Sequence, residues 1–428
     1  MNSFKIKIKQ HIVTFIQIMK LRDYQDRISD EAVVKLRKHG CCYLAMECRT
    51  GKTLTALVAA SKYEATSILF LTKLNAIPSV KADYDALSPA YTIDITNYES
   101  AHKCAGDYDF IILDEAHSLG AYPKPSKRAL NVKQICKGLP VLYLSGTPTP
   151  ESYSQLFHQF WVCSASPFGE YVNFYKWARD GYVDIRQKTI NGYSINDYSR
   201  ADKVKIDKTA GHLIIPYSQS DAGFNANTHE MEIRCCMSHK TADLIRTLKK
   251  RRVIEMSDSN IIFADTPAKL INKLHQLSGG TVITESGQHL IIDDGKARYI
   301  RERFKSQKIA IFYVYKSEFD LLRETFPNWT DSPEQFQAST NKVFISQVRR
   351  AREGVRLDTA DAIIFYSLEY SYLSYEQGKN RIMSKERKTP ARICFAISDC
   401  GIDGDILEAV KGKKDFTASY YVHKHGKL

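Results

Sequence analysis

None of the ten cysteines falls in a CxxC pair; the chain has only the adjacent Cys41-Cys42 and Cys235-Cys236 and six scattered singles. The closely spaced thiolates of zinc ribbons and fingers are therefore missing, and no structural zinc is expected. Cys41, Cys42 and Cys394 lie inside apolar runs, where a free thiol packs as a small hydrophobe. That usage fits a reducing, cytoplasmic compartment. No apolar run approaches the roughly 20 residues needed to cross a bilayer, so no membrane partner is expected. HIVTFIQIM (11–19) after KIKIK imitates a short signal core, but its His and Gln and the lack of a small-residue cleavage site argue against export. Repeats and low-complexity tracts are absent as well. Acidic residues are in deficit: Asp+Glu 48 against Lys+Arg 61 leaves a net charge of +13, which favours a polyanionic partner such as nucleic acid.

With 428 residues the chain is too long for one ordinary domain. From 21 to about 150, short apolar runs alternate with helical patterns: CCYLAM (41–46), SILFLT (67–72), YTIDIT (91–96), FIILDEA (110–116) and VLYLSGT (141–147). A second set comes late: KIAIFYVY (308–315), NKVFISQV (341–348), DAIIFYSL (361–368) and ARICFAIS (391–398). Strands that are apolar throughout and separated by helices predict parallel sheets covered on both faces. The expected fold is α/β, with two similar parallel-sheet lobes and a mainly helical insertion between them. The expected boundaries are an N-terminal extension over 1–20, a first lobe over 21–150, an insertion and linker over 151–290, and a second lobe over 291–428.

Three motifs carry chemistry. MECRTGKT (46–53) ends in the Gly-Lys-Thr of a phosphate-binding loop and stands between a predicted strand and a predicted helix. Backbone N–H groups of Arg49, Thr50 and Gly51 are expected around the phosphates, Lys52 at the β- and γ-phosphates, and Thr53 on Mg²⁺. Met46 stands where the strict pattern has its first glycine. Asp114 and Glu115 close the apolar run FIIL, where Asp114 can coordinate the metal and Glu115 can orient or deprotonate the attacking water. Ser145-Gly146-Thr147-Pro148 closes the next run.

With TGKT, DEAH and SGTP in that order, the chain resembles the DEAD/DEAH-box helicases of superfamily II, and more narrowly the compact Swi/Snf-type DNA translocases of phages and bacteria. The resemblance implies two RecA-like lobes, ATP and Mg²⁺ as ligands, and ATP hydrolysis coupled to movement on nucleic acid, duplex DNA favoured. LRDYQ (21–25) is similar to the family's adenine-recognition segment, with Gln25 as its glutamine. ILFLTK (68–73), carrying Thr72 and Lys73, and ITNYES (95–100) resemble strand ends that touch the nucleic-acid backbone. Ser145 and Thr147 match the motif that couples hydrolysis to movement, through His117. Lys127 lies where the family often places a DNA-tracking segment. In the second lobe QVRRAREGVRL (347–357) occupies the place of a glycine-rich motif, with Gly354 matching and Arg349, Arg350 and Arg352 adding charge. The final motif appears as Gln377-Gly378-Lys379-Asn380-Arg381. Arg381 takes the place of its first arginine, and Ser384 stands in place of the second, where Lys385 or Arg387 is an alternative substitute. Two other readings stay open: an RNA helicase of the same superfamily, and an ATP-dependent nucleic-acid clamp with little turnover.

Other features have plainer expectations. The aromatics of FHQFWV and YVNFYKW, at near-helical spacing, are expected in the core. Lys249-Lys250-Arg251-Arg252 is expected at an exposed helix end. Asp293-Asp294-Gly295-Lys296 has a faint likeness to a nuclease metal site, but coincides with a family segment that is structural.

Overall fold

The apolar runs fold into strands that are largely buried on both faces, except at Thr92–Asn97, where no residue is fully buried. The computed structural model describes residues 21–190, 193–224, 228–257, 260–351, 355–383, 387 and 389–412. Cys41–Met46 (β1), Ser67–Thr72 (β2), Thr92–Asn97 (β3), Phe110–Asp114 (β4) and Val141–Leu144 (β5) lie in one sheet, in which β4 and β5 are buried along their whole length. A hairpin of Arg186–Ile190 (β6) and Tyr193–Asp197 (β7) follows, and Ile214–Tyr217 (β8) then adds to the edge of the sheet beside β1. The order is β3-β2-β4-β5-β1-β8, with every neighbouring pair parallel. Because all strands point the same way, the ends of β1, β2, β4 and β5 share one edge, where open α/β sheets bind ligands.

The second sheet repeats the architecture. Thr228–Cys235 (β9) is followed by two small hairpins, Val253–Ser257 (β10) with Asn260–Phe263 (β11) and Thr281–Ile283 (β12) with His289–Ile291 (β13). Ile309–Tyr313 (β14), Trp329–Thr330 (β15), Val343–Gln347 (β16), Ala362–Phe365 (β17) and Ala391–Ser398 (β18) complete a parallel sheet in the order β15-β16-β14-β17-β18-β9. These are two RecA-like lobes. The segment between the late and early runs carries helices 155–161, 203–210, 239–251 and 267–278, and it also supplies β8 to the first sheet and β9 to the second.

Among the described residues two compact units result: those within 21–148, 155–182 and 202–217 form one, and those within 149–154, 183–201 and 218–412 the other. In the first unit Phe157, Phe160, Phe168, Phe174 and Trp177 are fully buried, so the aromatic cluster is core and not a base-stacking platform. In the second, Lys296 is a buried structural cation. Its Nζ lies 3.1 Å from Asp403 Oδ2 and donates to the Ser278 carbonyl at 3.4 Å. Asp293 accepts from Ser238 N, Thr241 Oγ1 and Gly295 N at 2.6, 2.8 and 2.9 Å, all within its own unit. The Asp293–Lys296 run therefore ties helices together. Lys249, Lys250 and Arg251 form the last turn of helix 239–251, where cations complement the helix dipole.

Candidate active site

The phosphate loop is a turn held at both ends. Thr50 folds back on Glu47, its N and Oγ1 donating to the Glu47 carbonyl at 3.3 and 2.7 Å. Arg49 and Gly51 both have positive φ, 66° and 82°, and helix 52–63 starts directly after them with Lys52 and Thr53 in its first turn. A side chain on Gly51 would bring a Cβ to 2.3 Å from Gln25 Nε2, so only glycine fits this corner. The Gln25 amide is used on both sides: Oε1 accepts from Arg22 N at 3.0 Å, capping its own helix, and Nε2 donates to the Gly51 carbonyl at 3.3 Å. Tyr24 OH donates to the Thr50 carbonyl at 2.9 Å.

The neighbouring strand ends bring carboxylates to the loop. Asp114 is the last residue of β4 and is 9% exposed, with Thr72 Oγ1 donating to Oδ2 at 2.7 Å. Burial pushes its carboxyl up to about 6, and the Glu115 charge adds to the shift; Lys52, the Thr72 hydroxyl and the Glu115 N–H oppose it. Tyr98 OH donates to the Asp114 carbonyl at 2.6 Å, fixing the strand end from the other side. Glu115 then takes a left-handed φ of 51°, a conformation costing of order 1 kcal/mol for a non-glycine residue. This reversal turns His117 back toward β5, where its Nδ1 lies 2.9 Å from Ser145 Oγ and 3.2 Å from Glu115 Oε2. Ser145 Oγ also accepts from Thr147 N at 3.1 Å. A Cβ on Gly146 would meet Cys48 N at 3.3 Å, so β5 ends against the phosphate loop itself.

A family model, the SNF2-related domain, matches residues 41–277, more than half of the chain. The chain belongs to the SNF2-related family. No curated protein matches it. As an SNF2-related protein it is a Swi/Snf-type, helicase-like member of superfamily II with the P-loop NTPase fold, and an ATP-hydrolysing translocase in the family's general sense. No helix among its described residues is long and apolar enough to cross a membrane.

The remaining candidates of this SNF2-related chain are distributed over both units. In the first, Lys73 is partly exposed directly after β2, and Lys127 is exposed as the first residue of helix 127–135. Arg128 pairs with Glu99 and sits over the Tyr98 ring, 5.2 Å from its centroid. In the second unit Arg349 pairs with Glu369, and Arg350 with Asp331 at 3.0 Å. Gln377 is buried in helix 372–379, and its Oε1 has no hydrogen-bond partner among the described residues. Arg381 Nε donates to the Gln377 carbonyl at 3.1 Å, and the Arg381 carbonyl accepts from Leu357 N at 3.1 Å. Arg387 is spent on backbone, its NH1 donating to the Asp358 and Ala360 carbonyls at 3.0 and 2.9 Å. Arg352, Gly354, Ser384 and Lys385 lie outside the described residues.

Tyr98 and Tyr217 were not singled out from the sequence. Tyr98 sits inside ITNYES, so its phenol was masked by the expectation of a polymer contact. Tyr217 closes a short Pro-containing run, HLIIPY, that offers no helical or extended signal of its own.

Proposed function

We propose that the chain is a DNA-stimulated ATPase that converts ATP hydrolysis into movement along duplex DNA. The observation that carries this reading is the shared edge of the first sheet, where the phosphate loop, the Thr72-held Asp114 and the Ser145–His117 bridge meet. Gly51 leaves room for a close anion, and a helix N-terminus follows it. Lys52 supplies the cation for the β- and γ-phosphates. Thr53 and Asp114 suit Mg²⁺, since a desolvated carboxylate with a raised pKa gains most from a divalent neighbour. Mg²⁺, when bound, neutralises charge on the phosphoryl oxygens.

In the same reading Glu115 orients the attacking water, and Gln25, Arg49, Thr50 and Gln377 belong to the nucleotide side. Arg381 provides the cation for the γ-phosphate. Thr72 is assigned to holding Asp114, because its fully buried hydroxyl is already donated there. Lys73, Lys127, Arg349, Arg350, Arg352 and Gly354 are assigned to the nucleic-acid backbone, contacts that position without reading sequence. His117, Ser145 and Thr147 link the two events.

The test is phosphate release by the full chain at low salt with no polymer, single-stranded DNA, duplex DNA or RNA, beside Lys52→Ala. Stimulation by duplex DNA that Lys52→Ala abolishes is the expected result. Stimulation by RNA alone would transfer the protein to the RNA helicases. Retained ATP binding without turnover would favour a clamp, the reading for which Ser384 speaks.

A further inference from the structure

The phosphate loop of this protein is closed into a circuit by a residue far along the chain. β8 runs beside β1 in register, Pro216 opposite Ala45 and Tyr217 opposite Met46. One step further, Glu47 N donates to the Tyr217 carbonyl at 2.9 Å. Glu47's own carbonyl holds Thr50, and the Thr50 carbonyl accepts from Tyr24 OH at 2.9 Å. The Tyr24 ring then stacks on the Tyr217 ring, centroids 4.6 Å apart and planes 25° from parallel. Tyr217 thus grips the turn at its beginning through the backbone and at its end through the ring.

The grip is easily altered. β8 has four residues, pairs among the described residues only with β1, and carries Pro216 on the sheet edge, where no further strand can join through a missing N–H. Tyr217 is also the last residue of the first unit before the chain passes to the second. A closed turn follows it: Ser218 N and Oγ both donate to Asp221 Oδ2, at 2.9 and 2.7 Å, and Ala222 N closes on the Ser218 carbonyl at 3.1 Å. A displacement of this turn is therefore delivered to Tyr217 through a single peptide.

We infer that Tyr217 is a positioning residue for the triphosphate, through which the junction leading into the second unit sets the shape of the phosphate loop. The inference rests on the nucleotide reading of that loop and adds its mechanical control. When the junction holds Tyr217 against Glu47 and Tyr24, the turn 47–50 keeps its shape. When β8 slips, both ends of the turn loosen together. A movement coupled to nucleic acid thereby changes nucleotide affinity without any polymer group touching the nucleotide.

The test compares Tyr217→Leu, which removes the ring, with Tyr217→Phe, which keeps it. An aromatic pair of this kind contributes about 1 kcal/mol, so Tyr217→Leu is expected to raise the KM for ATP about fivefold and leave kcat without polymer nearly unchanged. Tyr217→Phe is expected to restore KM, which a general loss of stability would not explain. Hydrogen exchange on the unaltered protein gives an independent measure: a non-hydrolysable ATP analogue should slow exchange in β8 together with residues 47–53. Unchanged KM in Tyr217→Leu, or protection confined to 47–53, overturns the role of Tyr217 while the nucleotide site stands. No protection at 47–53 in the unaltered protein would instead remove the nucleotide reading, and this inference with it.

Discussion

His117 Nδ1 and Ser145 Oγ lie 2.9 Å apart, joining the turn after β4 to the end of β5. Both are buried, and the serine also holds Thr147 N. The Glu115 carboxylate, proposed to orient the attacking water, and the strand end that abuts the phosphate loop are thus linked through His117. Ser145→Ala and His117→Ala should each leave nucleotide binding intact and lower polymer-stimulated phosphate release. The double variant should lose no more than the worse single one, because both remove the same link. A double-mutant cycle on the stimulated rate measures this, and fully additive losses would contradict it.

The raised Asp114 carboxyl predicts an acid limb. Its charged form is the one able to bind a cation, and burial, aided by Glu115, lifts the free-protein value to about 6. As pH falls through that value the carboxyl takes up a proton, so kcat/KM for ATP should fall below pH about 6 with a one-proton slope. Thr72→Val removes a hydrogen bond that favours the charged form. The limb should then move to higher pH, and a limb that stays in place or moves down would count against this assignment.

Arg381→Ala should retain nucleotide binding and lose hydrolysis by roughly 10³-fold or more, the range seen when a γ-phosphate arginine is removed. Measuring analogue affinity and single-turnover hydrolysis separates the two effects. Near-normal turnover in that variant would sink the assignment and return attention to Lys385.

Breaking the Lys296–Asp403 pair should injure stability and spare the nucleotide. Both side chains are almost wholly buried, so Lys296→Met strands a carboxylate and should cost about 3–5 kcal/mol in the second unit. Lys296→Met with Asp403→Leu should recover much of that. Chemical denaturation reads the loss, and analogue binding by the first unit should be unaffected.

Most of the strands that were legible are apolar on both faces; β3, an alternating edge strand, is an exception. β4 and β5 stand in the centre of their sheet, and FIILD and VLYL declare it. β8 and β9, also edge strands, were not legible. Pro216 interrupts one, and THEMEIRC in the other buries only Ile233 and Cys235, leaving no continuous apolar run to recognise. In the site, Lys52, Asp114 and Ser145 could be named because motifs carry them. The hydroxyl of Thr72 could not be assigned to Asp114, since β2 and β4 become neighbours only through the strand order. Tyr24 and Tyr217, separated by nearly the whole first unit in sequence, meet for the same reason.

The strand order also bears on how the chain is made. β8 finishes the first sheet by residue 217, so every strand of that sheet is translated before any strand of the second. β9 has the opposite fate. Its partner is β18, paired residue for residue from Thr228 with Ala391 to Cys235 with Ser398, and among the described residues no other strand flanks it. From its emergence until the last strand is translated, β9 has no sheet to join and exposes an unpaired edge. The nascent protein therefore carries a finished first lobe and a waiting strand ten residues beyond it, and its exposure to misassembly is concentrated in that interval.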